Sequence, residues 1–265
     1  MLKKILVSFA LGVTMSAHAD SVLLLNLSQD RTEWSRDADR VRSIASITKI
    51  MTAMVALDYD KDLSRRLQLS RAVRSNLPRQ AYTREQLLKA MLINSDNAAA
   101  ETIAEDYPGG RSAFVTRMNM QADIWGMKDT NFVDPSGLGV FNVSTVGDVA
   151  NMMITATNYW VITQLSGQKQ VAFEAKYKKR IRTINLPHTS GQLLFTFDSV
   201  IVSKTGLTSS AGWCVGMVVE QNQQRYVVVV LGSRNKRERL ETVKNIRYNH
   251  IVDTNLNTVN FSTNY

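Results

Sequence analysis

Residues 43–58 read SIASITKIMTAMVALD. Lys49 is the only charged side chain between Arg42 and Asp58. The stretch reads as a helix over Ile44–Tyr59, and Lys49 falls on the face that should be buried. A lone ammonium in apolar surroundings is costly unless it is paired or put to use. Ser46 stands three residues earlier, so the two side chains share a helix face. A serine hydroxyl is a weak nucleophile without an adjacent base. An ordinary lysine, with a pKa of about 10.4, is protonated at neutral pH and cannot serve as one. Burial lowers that pKa, and so does a second cation nearby. Taken alone, Lys49 reads equally well as a base for Ser46 or as a lysine that snorkels to the surface.

Two more motifs shift that balance. Ser46-Ile47-Thr48-Lys49 is an SxxK, a pattern also met at Ser166–Lys169 and Ser233–Lys236. Ser95-Asp96-Asn97 is an SxN that interrupts the helical run MLINSDNAAAE, and Lys204-Thr205-Gly206 ends an apolar strand. The order SxxK, SDN, KTG is the motif set of the penicillin-recognising serine acyltransferases. In that chemistry Ser46 is the nucleophile and Lys49 its base, with Lys204 as the cation that helps keep Lys49 neutral. Ser95 relays a proton to the leaving amine, and Asn97 holds the peptide group of the substrate. Gly206 lets substrate approach the strand backbone, and Thr205 and Thr208 can bind a carboxylate or amide. The N–H groups of Ser46 and Leu207 are the oxyanion-hole candidates. Read by itself, SDN would be a helix interruption or cap.

Working outward, Val22–Leu27 reads as a strand followed by a turn at Ser28–Arg31. Thr83-Arg84-Glu85-Gln86 is a capping box. A second helix is expected over Ser112–Trp125, and a third, capped by Ser144 or Thr145, through Ala156. Asp134-Pro135-Ser136-Gly137 is a turn cluster. Ser199–Ser203, Gly212–Glu220 and Arg225–Gly232 are β-rich, and Asn222-Gln223 makes a hairpin of the last two. Tyr226–Leu231 is continuously apolar, as in a central strand covered on both faces. A closing helix places Leu240, Val243 and Ile246 on one side. The chain therefore reads as α/β plus all-α. One α/β lobe takes residues of about 20–59 and 169–265, an all-α lobe about 60–168, and a cleft lies between them.

The first residues, MLKKILVSFALGVTMSAHAD, have a basic start, a short apolar stretch and a small-x-small box at Ala17-His18-Ala19. That is the pattern of a secretory signal peptide over residues 1–19, cleaved near Ala19, with the catalytic domain in 20–265. Removing Lys3 and Lys4 takes the formal charge from +9 to +7, which suits an anionic polymer or a loose membrane or cell-wall association. The basic run Lys176, Lys178, Lys179, Arg180 and Arg182 reads as a solvated strand or loop face, and no aromatic interleaving supports nucleic-acid binding. Cys214 is the single cysteine, so no intrachain disulfide can form; beside Trp213 and Val215 it reads as a buried, inert thiol. HExxH, CxxC, GxSxG, Walker A and GxGxxG are absent, and no metal or cofactor is expected.

The sequence resembles the low-molecular-mass penicillin-binding proteins, and more closely their D-alanyl-D-alanine endopeptidase type. The stretches IASITKIMTAMVALD, YPGGRSAFVTRMN, TNFVDPSGL, NVST and SKTGLTSSAGWC carry the resemblance, which runs from about Val22 to Gly232. It implies the transpeptidase fold shared with serine β-lactamases, a mainly antiparallel sheet flanked by helices beside a helical lobe. It implies a periplasmic serine D,D-peptidase that cleaves D-Ala–diaminopimelate cross-links in peptidoglycan stem peptides through an acyl-serine. It also implies covalent acylation by β-lactams. The functional positions carried over are Ser46, Lys49, Ser95, Asn97 and Lys204, with Thr205, Gly206, Leu207 and Thr208 as substrate-binding neighbours. Carboxypeptidase relatives carry an extra β domain and an amphipathic anchor. The chain stops at Tyr265, soon after the last helix, so the reading expects a soluble or loosely associated protein and favours the endopeptidase type over a D,D-carboxypeptidase; a monomer is expected. A β-lactamase reading lacks a glutamate in a suitable loop, since Glu174 has the wrong context. A non-hydrolytic muropeptide or β-lactam sensor would have little use for a complete catalytic set.

Overall fold

Tyr226–Leu231 is apolar at every position, and the structure covers it on both sides. The computed structural model describes residues 20–177 and 180–251. The leader expected over 1–19 lies outside the described residues, as do Lys178 and Lys179 of the basic run. The chain opens with β1 (Ser21–Asn26), β2 (Arg31–Arg36) and the short β3 (Arg42–Ser43). A 3-10 turn over Ala45–Thr48 then leads into α1 (Lys49–Tyr59). The small ribbon of β4 (Arg66–Gln68) and β5 (Ala81–Thr83) precedes α2 (Arg84–Ile93), α3 (Asn97–Glu105) and α4 (Gly110–Ile124). The short β6 (Val143–Ser144) pairs with β3, and α5 (Val146–Ala156) and α6 (Trp160–Ser166) follow. The hairpin of β7 (Gln170–Tyr177) and β8 (Arg180–Pro187) comes next. Last are β9 (Ser199–Thr208), β10 (Gly212–Gln221), β11 (Gln224–Ser233) and α7 (Lys236–Asn245).

Five strands form one sheet in the order β2-β1-β11-β10-β9, antiparallel at every step. Side chains alternate across a strand, which splits the valine run in two. Val227, Val229 and Leu231 pack into the core shared with α1, α2 and α5. Val228 and Val230 pack on the other side with Val22, Leu24 and Val215, under Val243 and Ile246. A strand buried on both faces has no place for a polar residue, and fully burying one such side chain is worth about 1.5–3 kcal/mol. Asn222 and Gln223 both have positive φ, 53° and 62°, as a two-residue hairpin turn of matching twist requires. The capping box forms: the Gln86 N–H donates to Thr83 Oγ1 at 3.1 Å, and the Thr83 N–H donates to Gln86 Oε1 at 3.0 Å. Thr145 rather than Ser144 caps α5, accepting from the Asp148 N–H.

One expectation needs correction. The helix expected from Ile44 begins as the 3-10 turn, and the α-helix proper starts at Lys49. Ala45 takes φ +47°, a left-handed conformation that breaks a regular helix at this point. Lys176, Arg180 and Arg182 lie on exposed positions of the β7–β8 hairpin, in keeping with a solvated strand face. β2 carries no strand signal in its sequence, because RTEWSR is an edge strand with a largely solvated, polar pattern.

Candidate active site

Ser46 sits in the 3-10 turn, partly exposed, and β9 lies directly against that turn. A Cβ on Gly206 would stand 2.7 Å from the Ile44 carbonyl oxygen and 3.1 Å from the Ser46 nitrogen. Only glycine lets the KTG strand come so near to the nucleophile turn. From the other side the Asp134–Gly137 turn presses in. Gly137 has φ +82°, and a Cβ there would overlap the Ala45 carbonyl oxygen at 2.0 Å. Asp134 shapes this turn by accepting from the N–H groups of Ser136, Gly137 and Gly139 and from the Ser136 hydroxyl. Burial pushes the Asp134 carboxyl up, but those hydrogen bonds outweigh it and hold its pKa below the usual value. The turn is bolted to α1 by Thr52, whose hydroxyl donates to the Pro135 carbonyl at 2.6 Å.

These constraints place the Ser136 carbonyl beside Lys49, which is wholly buried. Lys49 Nζ lies 2.8 Å from Ser46 Oγ, 2.8 Å from Asn97 Oδ1 and 2.5 Å from the Ser136 carbonyl oxygen. Burial lowers its pKa from 10.5 to about 7, against the pull of Asp134, Asp96 and Glu101. A neutral amine has two N–H donors and one lone pair. The two oxygens of Asn97 and Ser136 take the donors, which leaves the lone pair for the Ser46 hydroxyl. The arrangement can therefore deprotonate a serine one helical turn away.

Lys204 is also wholly buried; it donates to Ser95 Oγ at 3.0 Å and to the Thr205 carbonyl at 2.9 Å. Its pKa falls well below the ordinary value through burial, and further through the charges of Lys49 and Arg239. The sequence reading credited Lys204 with helping to depress Lys49. Burial is the main cause in the structure, and Lys204 stands on the Ser95 side of the site. Ser95 itself takes φ +62°, in the break between α2 and α3. Asp96 is the cap in this motif: one oxygen accepts from the Ala99 N–H, the other from the Ser75 hydroxyl and the Asn76 N–H. Capping α3 fixes Asn97 at its first position, facing Lys49.

A cleft of about 340 Å³ opens over these groups. Ser46, Ser95, Asn97, Thr205, Gly206, Leu207 and Thr208 all line it, while Lys49 and Lys204 lie beneath. Thr189, Trp213 and Arg239 also face it, and the sequence reading gave them no role. Thr189 is held by Thr205, whose hydroxyl donates to it at 2.8 Å, and its N–H donates to the Ile93 carbonyl. His188 beside it is buried, accepts from the Ser190 N–H at Nδ1, and has its pKa lowered to about 4 by burial and by Lys204. It stays neutral and braces the wall. Cys214 is buried and its thiol is pushed up to about 11 by burial, which leaves it little nucleophilic character.

A model of the D-alanyl-D-alanine carboxypeptidase family matches residues 10–235. The chain belongs to this family. It is 33% identical over 224 residues to the D-alanyl-D-alanine endopeptidase of Escherichia coli, covering 82% of this chain and 72% of that one. It is 35% identical over 227 residues to the enzyme of the same name from Pseudomonas aeruginosa, with the same coverage. Among solved structures, a penicillin-binding protein of Listeria monocytogenes in an ampicillin-bound form superposes with a TM-score of 0.76 at 26% identity. That match covers 87% of this chain and 97% of the other. A DD-transpeptidase variant from Streptomyces shares the fold with a TM-score of 0.79 over 85% of this chain. The D-alanyl-D-alanine carboxypeptidase family is one of serine hydrolases, and in this member the buried Lys49 lies within hydrogen-bond distance of Ser46.

One substitution tests how the site is held. Gly137→Ala adds a Cβ to a left-handed residue, at a cost of about 1–2 kcal/mol for the backbone alone. It also forces the turn away from Ala45, and with it the Ser136 carbonyl away from Lys49. The variant should melt at a lower temperature and react more slowly with penicillin. An unchanged melting curve together with an unchanged labelling rate would show that the turn does not hold the lysine.

Proposed function

We propose that the chain is a serine D,D-peptidase that cleaves D-Ala–diaminopimelate cross-links in peptidoglycan. The observation that carries this reading is Lys49, buried, with two carbonyl-type acceptors and one serine hydroxyl around its nitrogen. Ser46 Oγ attacks the D-Ala carbonyl carbon while its proton passes to Lys49. The developing oxyanion meets the N–H groups of Ser46 and Leu207. The C–N bond then breaks, and the leaving amine takes a proton along the Ser95–Lys204 side of the site. Water hydrolyses the acyl-serine and restores the enzyme. Asn97 holds the peptide group on one side of the cleft, and Thr205 and Thr208 hold it on the other.

The names of the Escherichia coli and Pseudomonas aeruginosa relatives support endopeptidase action. The ampicillin- and cefotaxime-bound forms of the Listeria protein support acylation by β-lactams. Glu174 lies exposed on β7, which does not favour a deacylating role and so weighs against a β-lactamase. The leader pattern over 1–19 supports export to the periplasm. Purified cross-linked muropeptides test the reading. Conversion of dimers to monomers is expected. Loss of the terminal D-Ala from pentapeptides, with dimers intact, would make the protein a carboxypeptidase instead.

A further inference from the structure

A second hollow lies at the opposite end of α1 from the active site. It measures about 680 Å³, against about 340 Å³ for the catalytic cleft. Leu57, Asp58, Trp125, Asn158, Tyr159 and Trp160 are among the residues that line it. The eleven residues of α1 put its two ends about 16 Å apart at about 1.5 Å per residue. The helix is buried from Lys49 to Leu57, so a ligand reaching from one end to the other must go around the outside.

The hollow is built rather than incidental. Arg84, buried, donates to the carbonyls of Ala56 and Asp60 and fixes the C-terminal end of α1. The Tyr159 hydroxyl donates to the Asp58 carboxylate, 3.0 Å from each oxygen. Trp160 is 70% exposed at the start of α6, with Trp125 also in the wall. An indole left in water on a concave surface is a large unused contact area. Around it stand Asp58, Lys61, Thr155 and Asn158. A protein-binding hot spot is normally depleted of charge at its centre. Aromatic faces mixed with a carboxylate and an amide suit a ligand that is itself half apolar and half hydroxyl, as a sugar ring is. The volume is within the usual range for a small-molecule or saccharide site.

We infer that the hollow at the far end of α1 binds the glycan of peptidoglycan, an N-acetylhexosamine polymer, with Trp160 stacked on a sugar ring and Asp58 accepting from its hydroxyls. The inference rests on peptidoglycan being the substrate. The bound glycan tethers the enzyme and raises the local concentration of cross-links at the cleft.

The test uses a tetramer of β-1,4-linked N-acetylglucosamine, which carries no peptide, with intrinsic tryptophan fluorescence as the readout. The wild-type protein should give a saturable change. Trp160→Ala should weaken binding by about tenfold or more, equivalent to 1.4 kcal/mol, and Asp58→Asn should weaken it too. Both variants should keep wild-type penicillin acylation and cleavage of soluble muropeptide dimers, and should be slower only on intact sacculi. No saturable binding by the wild type at about 10 mM tetramer, or equal binding by Trp160→Ala, would overturn the inference. Loss of a co-purifying protein in Trp160→Ala without any tetramer binding would overturn it in favour of a protein partner. A wild-type protein that binds the tetramer but cleaves no dimer would instead count against the peptidase reading, because the fluorescence titration needs no catalysis.

Discussion

Ser46→Ala is expected to abolish covalent labelling by penicillin. The wild-type protein should gain the mass of one penicillin, and peptide mapping should place it on the fragment that contains Ser46. Among the described residues, Ser95 is the one other hydroxyl in the cleft bonded to a buried lysine. Its partner Lys204 also donates to the Thr205 carbonyl, and Ser95 has no link to the 3-10 turn that carries the Ser46 N–H. The alanine removes one oxygen from a partly exposed turn, so folding should be unaffected. An adduct on the Ser46→Ala protein, or one mapped to Ser95, would move the nucleophile and with it the oxyanion site.

Lys49→Ala is expected to slow acylation by about 10²–10⁴-fold, the range for removal of a positioned general base. The wild-type rate should also carry the lysine's titration. The neutral amine is the active form, and Lys49 is neutral above a pKa of about 7. The acylation rate should therefore rise about tenfold per pH unit below 7 and level off above it. An ordinary lysine would put that rise near 10 instead. Initial rates of labelling between pH 5 and pH 9 decide between the two. Normal labelling of Lys49→Ala, or a flat profile through neutrality, would contradict the assignment of the base.

What could be read in advance follows from where each signal resides. The central strands were legible because Tyr226–Leu231 is apolar on both faces, and the Asn222-Gln223 turn tolerates positive φ. The site was legible because its chemistry needs particular side chains, and Ser46, Lys49, Ser95, Asn97 and Lys204 converge as their motifs suggested. The Ser136 carbonyl was invisible, since any residue carries one and only the fold aims it at Lys49. The 3-10 start of the first helix was invisible for a similar reason. Ala45 is an ordinary residue by composition, and its left-handed φ accompanies the close approach of Gly137 and Gly206 on either side of the turn. Thr189 carried no pattern at all; it is placed by a hydroxyl of β9 and a carbonyl of α2, both distant in sequence. The β7–β8 pairing was not legible because β8 is nearly all exposed and lacks the buried–exposed alternation of β7.

The place of β1 between β2 and β11 has a consequence for assembly. β1 is the first of the described strands and β11 the last, so the sheet that holds Lys204 beside Ser95 closes only when the two ends of the described chain meet. A chain cut short before residue 199 would carry the serine and its base but no KTG wall to receive a substrate. The catalytic wall is therefore complete only once β9, β10 and β11 have joined β1 in one sheet.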